Sequence, residues 1–220
     1  MKSGRKHLIG IVAAVNVLSI IVAGNVMADD GVWRANYAQL KLGAFQPTSD
    51  LDDAGFDAGP LASVAYGRYL TRYLAVETSI EGFGTKNDDL HGTSNIIGSY
   101  EQENTLATTA FLVTLKGEYP IGPISLFGGI GGGFYVVTLD SDIDTSTRGD
   151  FSVDDDDSVF GVHVVAGANY DITDRFFIGL EGMYRWTDDF DLSETVAHIP
   201  VEYSGDLSGF SVTVNAGFRF

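Results

Sequence analysis

Apolar and polar positions alternate with period two along most of this chain. Over residues 210–220, Phe210, Val212, Val214, Ala216, Phe218 and Phe220 fall on one side, and Ser211, Thr213, Asn215, Gly217 and Arg219 on the other. Successive side chains of a strand point oppositely, so this spacing predicts a strand, whereas a helix would mix the two sets. Residues 176–186 repeat the pattern, with Phe176, Ile178, Leu180, Tyr184 and Trp186 against Gly179, Glu181, Met183 and Arg185. So do residues 160–172, where Val162, Val164, Ala166, Ala168 and Tyr170 oppose Gly161, His163, Gly167, Asn169 and Asp171. Five earlier segments, roughly 36–46, 60–70, 73–84, 105–119 and 124–139, bring the expected number of strands to eight.

Residues 119–139 carry no charge and are long enough to suggest a membrane-spanning helix. Glycines at 122, 128, 129, 131, 132 and 133 and prolines at 120 and 123 make it a poor helix and a good turn followed by a strand. Glycine there leaves room for bulky side chains from across a narrow interior.

The connections alternate in length. Tight turns are expected around Thr71-Arg72, Ile121-Gly122 and Thr173-Asp174, and long polar loops over 47–58, 85–104, 140–157 and 188–206. Three tight turns and four long loops join eight antiparallel strands up and down. A sheet in lipid must satisfy every backbone donor and acceptor, so the expected fold is all-β: an eight-stranded antiparallel up-and-down transmembrane β-barrel. Barrels of this kind place short turns on the periplasmic side and long loops outside the cell. Aromatic side chains are then expected at the two interfaces, Tyr73, Tyr119 and Tyr170 near the turns and Tyr135, Tyr184 and Trp186 near the loops.

The amino terminus adds an address. Lys2, Arg5 and Lys6 precede an uncharged stretch from Leu8 to Ala28, broken by Asn16 and Ser19 and ending Val26-Met27-Ala28. Residues 1–28 therefore read as a cleaved export signal rather than an anchoring helix, and residues 29–220 as one barrel domain. Cleavage would shift the formal net charge from −17 to −20 through the loss of those three cations. Such an acidic chain is no partner for nucleic acid. Of 30 acidic residues, 22 lie in the four long loops, so the charge is displayed outward. The absence of cysteine removes disulfides, thiolate metal sites and cysteine nucleophiles.

Three stretches resemble the OmpA/OmpW-type outer-membrane β-barrel family: Tyr66-Gly67-Arg68-Tyr69-Leu70-Thr71-Arg72-Tyr73-Leu74-Ala75-Val76-Glu77, the opening Pro123-Ile124-Ser125-Leu126-Phe127-Gly128-Gly129-Ile130-Gly131, and the closing Asn215-Ala216-Gly217-Phe218-Arg219-Phe220. The likeness covers nearly all of residues 35–220. It implies the outer membrane of a Gram-negative-type bacterium, lipid and lipopolysaccharide as surroundings, and recognition of a terminal aromatic strand by the barrel-assembly machinery, here through Phe218 and Phe220. It leaves function open, because the family contains structural proteins, adhesins, small pores and a few lipid-modifying enzymes. No peptidoglycan-binding domain is expected after the barrel.

With apolar faces turned to lipid, Lys41, Arg68, Glu77, Glu81, Lys116, Glu118, Glu181, Arg185 and Arg219 are expected inside. In so narrow a barrel, near-balanced charges form a paired plug; a narrow path for ions or solutes lined by the same groups is the alternative. Asp140, Asp142 and Asp144 have the spacing of the first ligands of an EF-hand loop, but Thr145 replaces its glycine and Phe151 its glutamate. That leaves at most loose collection of divalent cations at the loops. Lipid-A deacylase barrels use a His-Ser pair, whereas His163 is followed by Val164. His163 reads as a hydrogen-bonded interior residue, and His91 and His198 lack partners at metal spacing. The expectation is a non-enzymatic structural and surface protein without a cofactor, with an OmpW-like channel for small or hydrophobic solutes as the alternative and a lipid-modifying enzyme as the third reading.

Overall fold

A computed structural model describes residues 35–94, 98–145, 151–196 and 199–220, with side chains placed over 35–86, 106–138, 157–190 and 204–220. The proposed export signal, residues 1–28, lies outside the described residues. Eight strands close a barrel: β1 (Asn36–Pro47), β2 (Gly59–Thr71), β3 (Leu74–Ser94), β4 (Gly98–Ile121), β5 (Ile124–Thr145), β6 (Phe151–Asp171), β7 (Phe176–Thr187) and β10 (Gly209–Arg219). Each pairs antiparallel with its neighbours around the barrel, and β1 seals it against β10 from Tyr37↔Arg219 to Pro47↔Gly209. Two further strands, β8 (Phe190–Val196) and β9 (Ile199–Gly205), form a separate hairpin between β7 and β10.

The three tight turns lie at one end, as the sequence predicts. At Ile121-Gly122-Pro123-Ile124 the chain reverses through Gly122 with φ +64°, a conformation that glycine adopts without penalty. The outward face carries the apolar half of each alternation, including Leu40, Val64, Ile80, Ile130, Val162, Leu180 and Val214, all exposed. The opposite residues fill the lumen. Glycine makes room there as expected: a Cβ at Gly131 would press on the His163 ring, and one at Gly67 would fall inside the Tyr37 ring.

The predicted long loops prove to be largely strand. β3 and β4 pair out to Ser94↔Gly98, and β5 and β6 out to Ile143↔Phe151. β4 has 24 residues, whereas crossing the bilayer takes about 9–11. β4 also pairs with β5 as far as Tyr100↔Thr145, so these four strands project beyond the membrane as one sheet, in a stretch whose sequence carries no apolar alternation to mark a strand. Asp140, Asp142 and Asp144 belong to this projecting part of β5. Adjacent members of such a set stand about 6.7 Å apart along an extended strand, so the backbone cannot wrap one ion as an EF-hand loop does. Their side chains lie outside the described residues, as do those of His91 and His198.

Candidate functional site

The lumen is organised in layers. At its centre, Lys41 of β1 and Lys116 of β4 alternate with Glu77 of β3 and Glu181 of β7. Lys41 Nζ donates to Glu77 Oε1 at 2.8 Å and to Glu181 Oε1 at 2.7 Å. Lys116 Nζ donates to Glu77 at 2.9 Å and to Glu181 Oε2 at 2.6 Å. All four are buried, and they close a neutral ring of two cations and two anions across the barrel. Glu77 also accepts from the Tyr37 hydroxyl at 2.6 Å and from Gln39 Nε2 at 2.8 Å. Its carboxylate is thus saturated by protein donors, which offsets the cost of removing the charge from water.

Toward the short turns lies a second group. Arg219 Nη1 donates to Asp171 Oδ1 at 2.6 Å and its other terminal nitrogen lies 3.8 Å from Glu118. The Tyr69 hydroxyl donates to Glu118 Oε2 at 2.5 Å. Phe177 underlies the Arg219 guanidinium with its ring centre 4.5 Å away.

Toward the loops the character changes. The fully buried Arg185 pairs with Glu81 at 2.7 Å and donates to Ser211 Oγ at 3.1 Å. Its guanidinium lies 4.5 Å from the Phe83 ring centre, 4.9 Å from that of Phe45 and 5.8 Å from that of Tyr135. Desolvated aromatic faces attract a cation, so the rings share in holding this charge.

Above Arg185 the mouth is covered by carbon. A short helix, α1 (Asp50–Asp53), follows β1. It ends at Gly55, φ +82°, whose N–H donates to Asp52 O while Phe56 N–H donates to Leu51 O, both at 2.9 Å. This helix-ending pattern brings the residues at its two ends together, and Leu51 and Phe56 are both buried in the cluster over the mouth. Phe190, the first residue of β8, and Leu207, just after β9, enter the same cluster. The two loops are tied down by Thr48 N–H to Ser208 O at 2.9 Å, Asp57 N–H to Lys86 O at 2.9 Å and Leu207 N–H to Thr187 Oγ1 at 2.7 Å.

Of the nine charges expected inside, eight are. Arg68 is the exception: it shares the outward side of β2 with Tyr66 and Leu70, while Leu61, Ser63, Ala65, Gly67 and Tyr69 face inward. Both sides of β2 carry apolar residues, so composition alone misplaced it. Tyr135 also departs from expectation: it points inward onto Arg185 rather than lying at the membrane interface, because the glycine run before it hides the phase of β5. Tyr37, Gln39 and Tyr69 were not singled out from the sequence, although a polar group at an inward position was the available signal. His163 is buried with Nε2 2.8 Å from Thr114 Oγ1, while its Nδ1 has no partner among the described residues. The pair lacks the third group that orients a catalytic imidazole. Phe218 and Phe220 stack at 6.1 Å near the turn end. Asp50, Asp189 and Asp206 bring carboxylate oxygens within 4.8 Å of one another beside the mouth, from segments too distant in sequence to be paired beforehand.

Residues 14–220 match the family model described as outer membrane protein beta-barrel domain. No curated protein matches the chain. Among solved structures it is similar to the outer membrane protein OprG from Pseudomonas aeruginosa, 12% identical over 85% of this chain and 96% of that one, with a TM-score of 0.61. It is also similar to the outer membrane protease OmpT from Escherichia coli, 9% identical over 88% and 99%, TM-score 0.54. A looser likeness joins it to Ail, the attachment invasion locus protein of Yersinia pestis, solved with the heparin analogue sucrose octasulfate, 12% identical over 86% and 100%, TM-score 0.47.

Proposed function

We propose, from the premise that the chain belongs to the outer membrane protein beta-barrel domain family, that it is a closed, non-enzymatic barrel lending structure to the outer membrane and displaying acidic hairpins outside the cell. The neutral ring of Lys41, Glu77, Lys116 and Glu181 carries this reading. An ion crossing the lumen would have to break several charge-assisted hydrogen bonds at once, in a space where no bulk water replaces them. The carbon lid over Arg185 adds a second barrier in series. On this reading the surroundings are membrane lipid and lipopolysaccharide, and Phe218 and Phe220 present the terminal aromatic strand to the assembly machinery. The acidic hairpins, with any divalent cations they gather, face outward.

Purified protein in planar bilayers tests the proposal. Silence at voltages that leave the bilayer intact is expected; stable, reproducible conductance steps would overturn it. A second reading, a narrow channel, draws support from the hydroxyls of Ser63, Thr108 and Thr213 and the amide of Asn215, buried without a protein partner among the described residues. A file of water would satisfy such groups. Incubation with lipopolysaccharide followed by mass analysis addresses lipid modification, and an altered acyl pattern would count against a non-enzymatic role.

A further inference from the structure

The lipid-facing wall is not uniformly convex. A groove of about 600 Å³ runs over β6, β7, β10 and β1. Its depth has a sequence cause. Along the register Ala168↔Leu180↔Val214↔Leu42, and along Tyr170↔Ile178↔Ala216↔Leu40, the outward positions include two alanines between large side chains. Ala168 and Ala216 form the floor, and Leu40, Ile178, Leu180 and Val214 stand above it, each about half exposed or more.

The groove has an oriented border. Toward the short-turn end a file of rings continues from Phe176 to Phe218 at 4.9 Å, on to Phe220 at 6.1 Å, and to Tyr66 at 6.4 Å. A cation stands at each end of that file. Arg175 is exposed in the β6–β7 turn, its carbonyl accepting from Arg219 N–H, and Arg68 faces outward on β2, paired in register with Asn36. The acidic residue in the same turn is Asp174, and Asp171 is engaged by Arg219 inside. The surface thus presents an apolar trough in the hydrocarbon, an aromatic step at the interface and two guanidiniums at headgroup level.

We propose that this groove is a binding site for one phospholipid of the periplasmic leaflet with an anionic headgroup. An acyl chain lies over Ala168 and Ala216, and the headgroup phosphate lies within reach of Arg175 or Arg68. The short turns mark the periplasmic side, which fixes the leaflet. Guanidinium matches phosphate oxygens in geometry as well as sign, and an anionic headgroup lacks the choline or ethanolamine cation that two arginines would repel. A second copy of the chain is the competing occupant, and the test separates the two.

The test is native mass spectrometry of the purified barrel, titrated with phosphatidylglycerol or with phosphatidylcholine of the same acyl composition. Wild type is expected to retain one phospholipid and to prefer phosphatidylglycerol. Filling the floor with A168L/A216L is expected to weaken retention of both lipids on the order of tenfold, and R68Q/R175Q to abolish the preference while keeping the acyl contact. Undiminished retention by A168L/A216L, running as a folded barrel on an unheated gel, would overturn the proposal. Should that variant fail to fold, R68Q/R175Q decides alone: an unchanged preference for the anionic lipid overturns it. A retained protein dimer free of lipid overturns it as well.

Discussion

Lys41 and Glu181 meet at 2.7 Å although 140 residues separate them and β10 lies between their strands. The bond bridges over β10 through the lumen, and Lys116–Glu181 reaches further, across β5 and β6, so the ring ties together strands that share no backbone pairing. Glu181→Gln would leave Lys41 and Lys116 sharing Glu77 alone, with an uncompensated buried cation. Removing one member of a buried pair costs about 3–5 kcal/mol, and the urea midpoint of refolded protein should fall accordingly. Lys41→Met combined with Glu181→Leu leaves Lys116 and Glu77 balanced, and should recover most of the loss.

Arg185 is held by geometry as much as by charge. Its planar guanidinium lies near Phe45, Phe83 and Tyr135 while pairing with Glu81. Arg185→Lys keeps the charge but loses the planar stack and the bond to Ser211, costing about 1–2 kcal/mol. Arg185→Leu strands the Glu81 carboxylate and should cost more, about 3–5 kcal/mol. The temperature at which the folded band disappears on a heated gel should rank wild type above Arg185→Lys, and that above Arg185→Leu. The reverse order of the two variants would contradict the cation and ring arrangement.

The lid should yield separately from the ring. Leu207 and Phe56 are buried in the cluster over the mouth, and truncating either to alanine removes about 2–5 kcal/mol of packing. That loss falls on two loops rather than on the barrel wall, so it should appear as local opening. Amide exchange at Thr48 and Leu207 should accelerate while amides of β1 near Lys41 stay protected. Both variants should remain silent in planar bilayers, because the ring below is intact.

The barrel was legible in the sequence wherever one face of a strand meets lipid and the other meets the lumen, since that contrast writes itself as period two. The signal failed where the contrast fades. Residues 85–104 and 140–157 read as loops because no lipid face imposes an apolar alternation on a strand beyond the membrane, yet backbone pairing continues along most of their length. The charged interior was legible because Glu77, Glu81, Lys116 and Glu181 each interrupt an apolar stretch on the polar side of their own strand. Their division into a ring and a separate Arg185–Glu81 pair was not, since which lysine meets which glutamate depends on the stagger of strands around the barrel. The lid was hidden for a similar reason: Leu51 and Leu207 lie in segments of mainly polar composition, and only the fold brings them over one opening.

Arg68 and Arg219 make the sharpest test of face assignment, because both lie near the short-turn end. Arg219 is inside with Asp171 and near Glu118; Arg68 is on the outward side of β2. Replacing Arg68 with leucine puts an apolar side chain on a surface that already faces lipid, near an interface where an arginine itself costs only about 0–1 kcal/mol. Its effect on the unfolding midpoint should be small. Replacing Arg219 with leucine leaves Asp171 and Glu118 without their shared cation and should cost about 1–3 kcal/mol, less than a fully buried pair because the Asp171 side chain is 32% exposed. Measured side by side in urea, the two substitutions should differ by well over the error of the midpoints. Equal losses would mean that Arg68 shares the interior, as composition alone suggested, and that β2 is turned by one residue from the register Asn36↔Arg68.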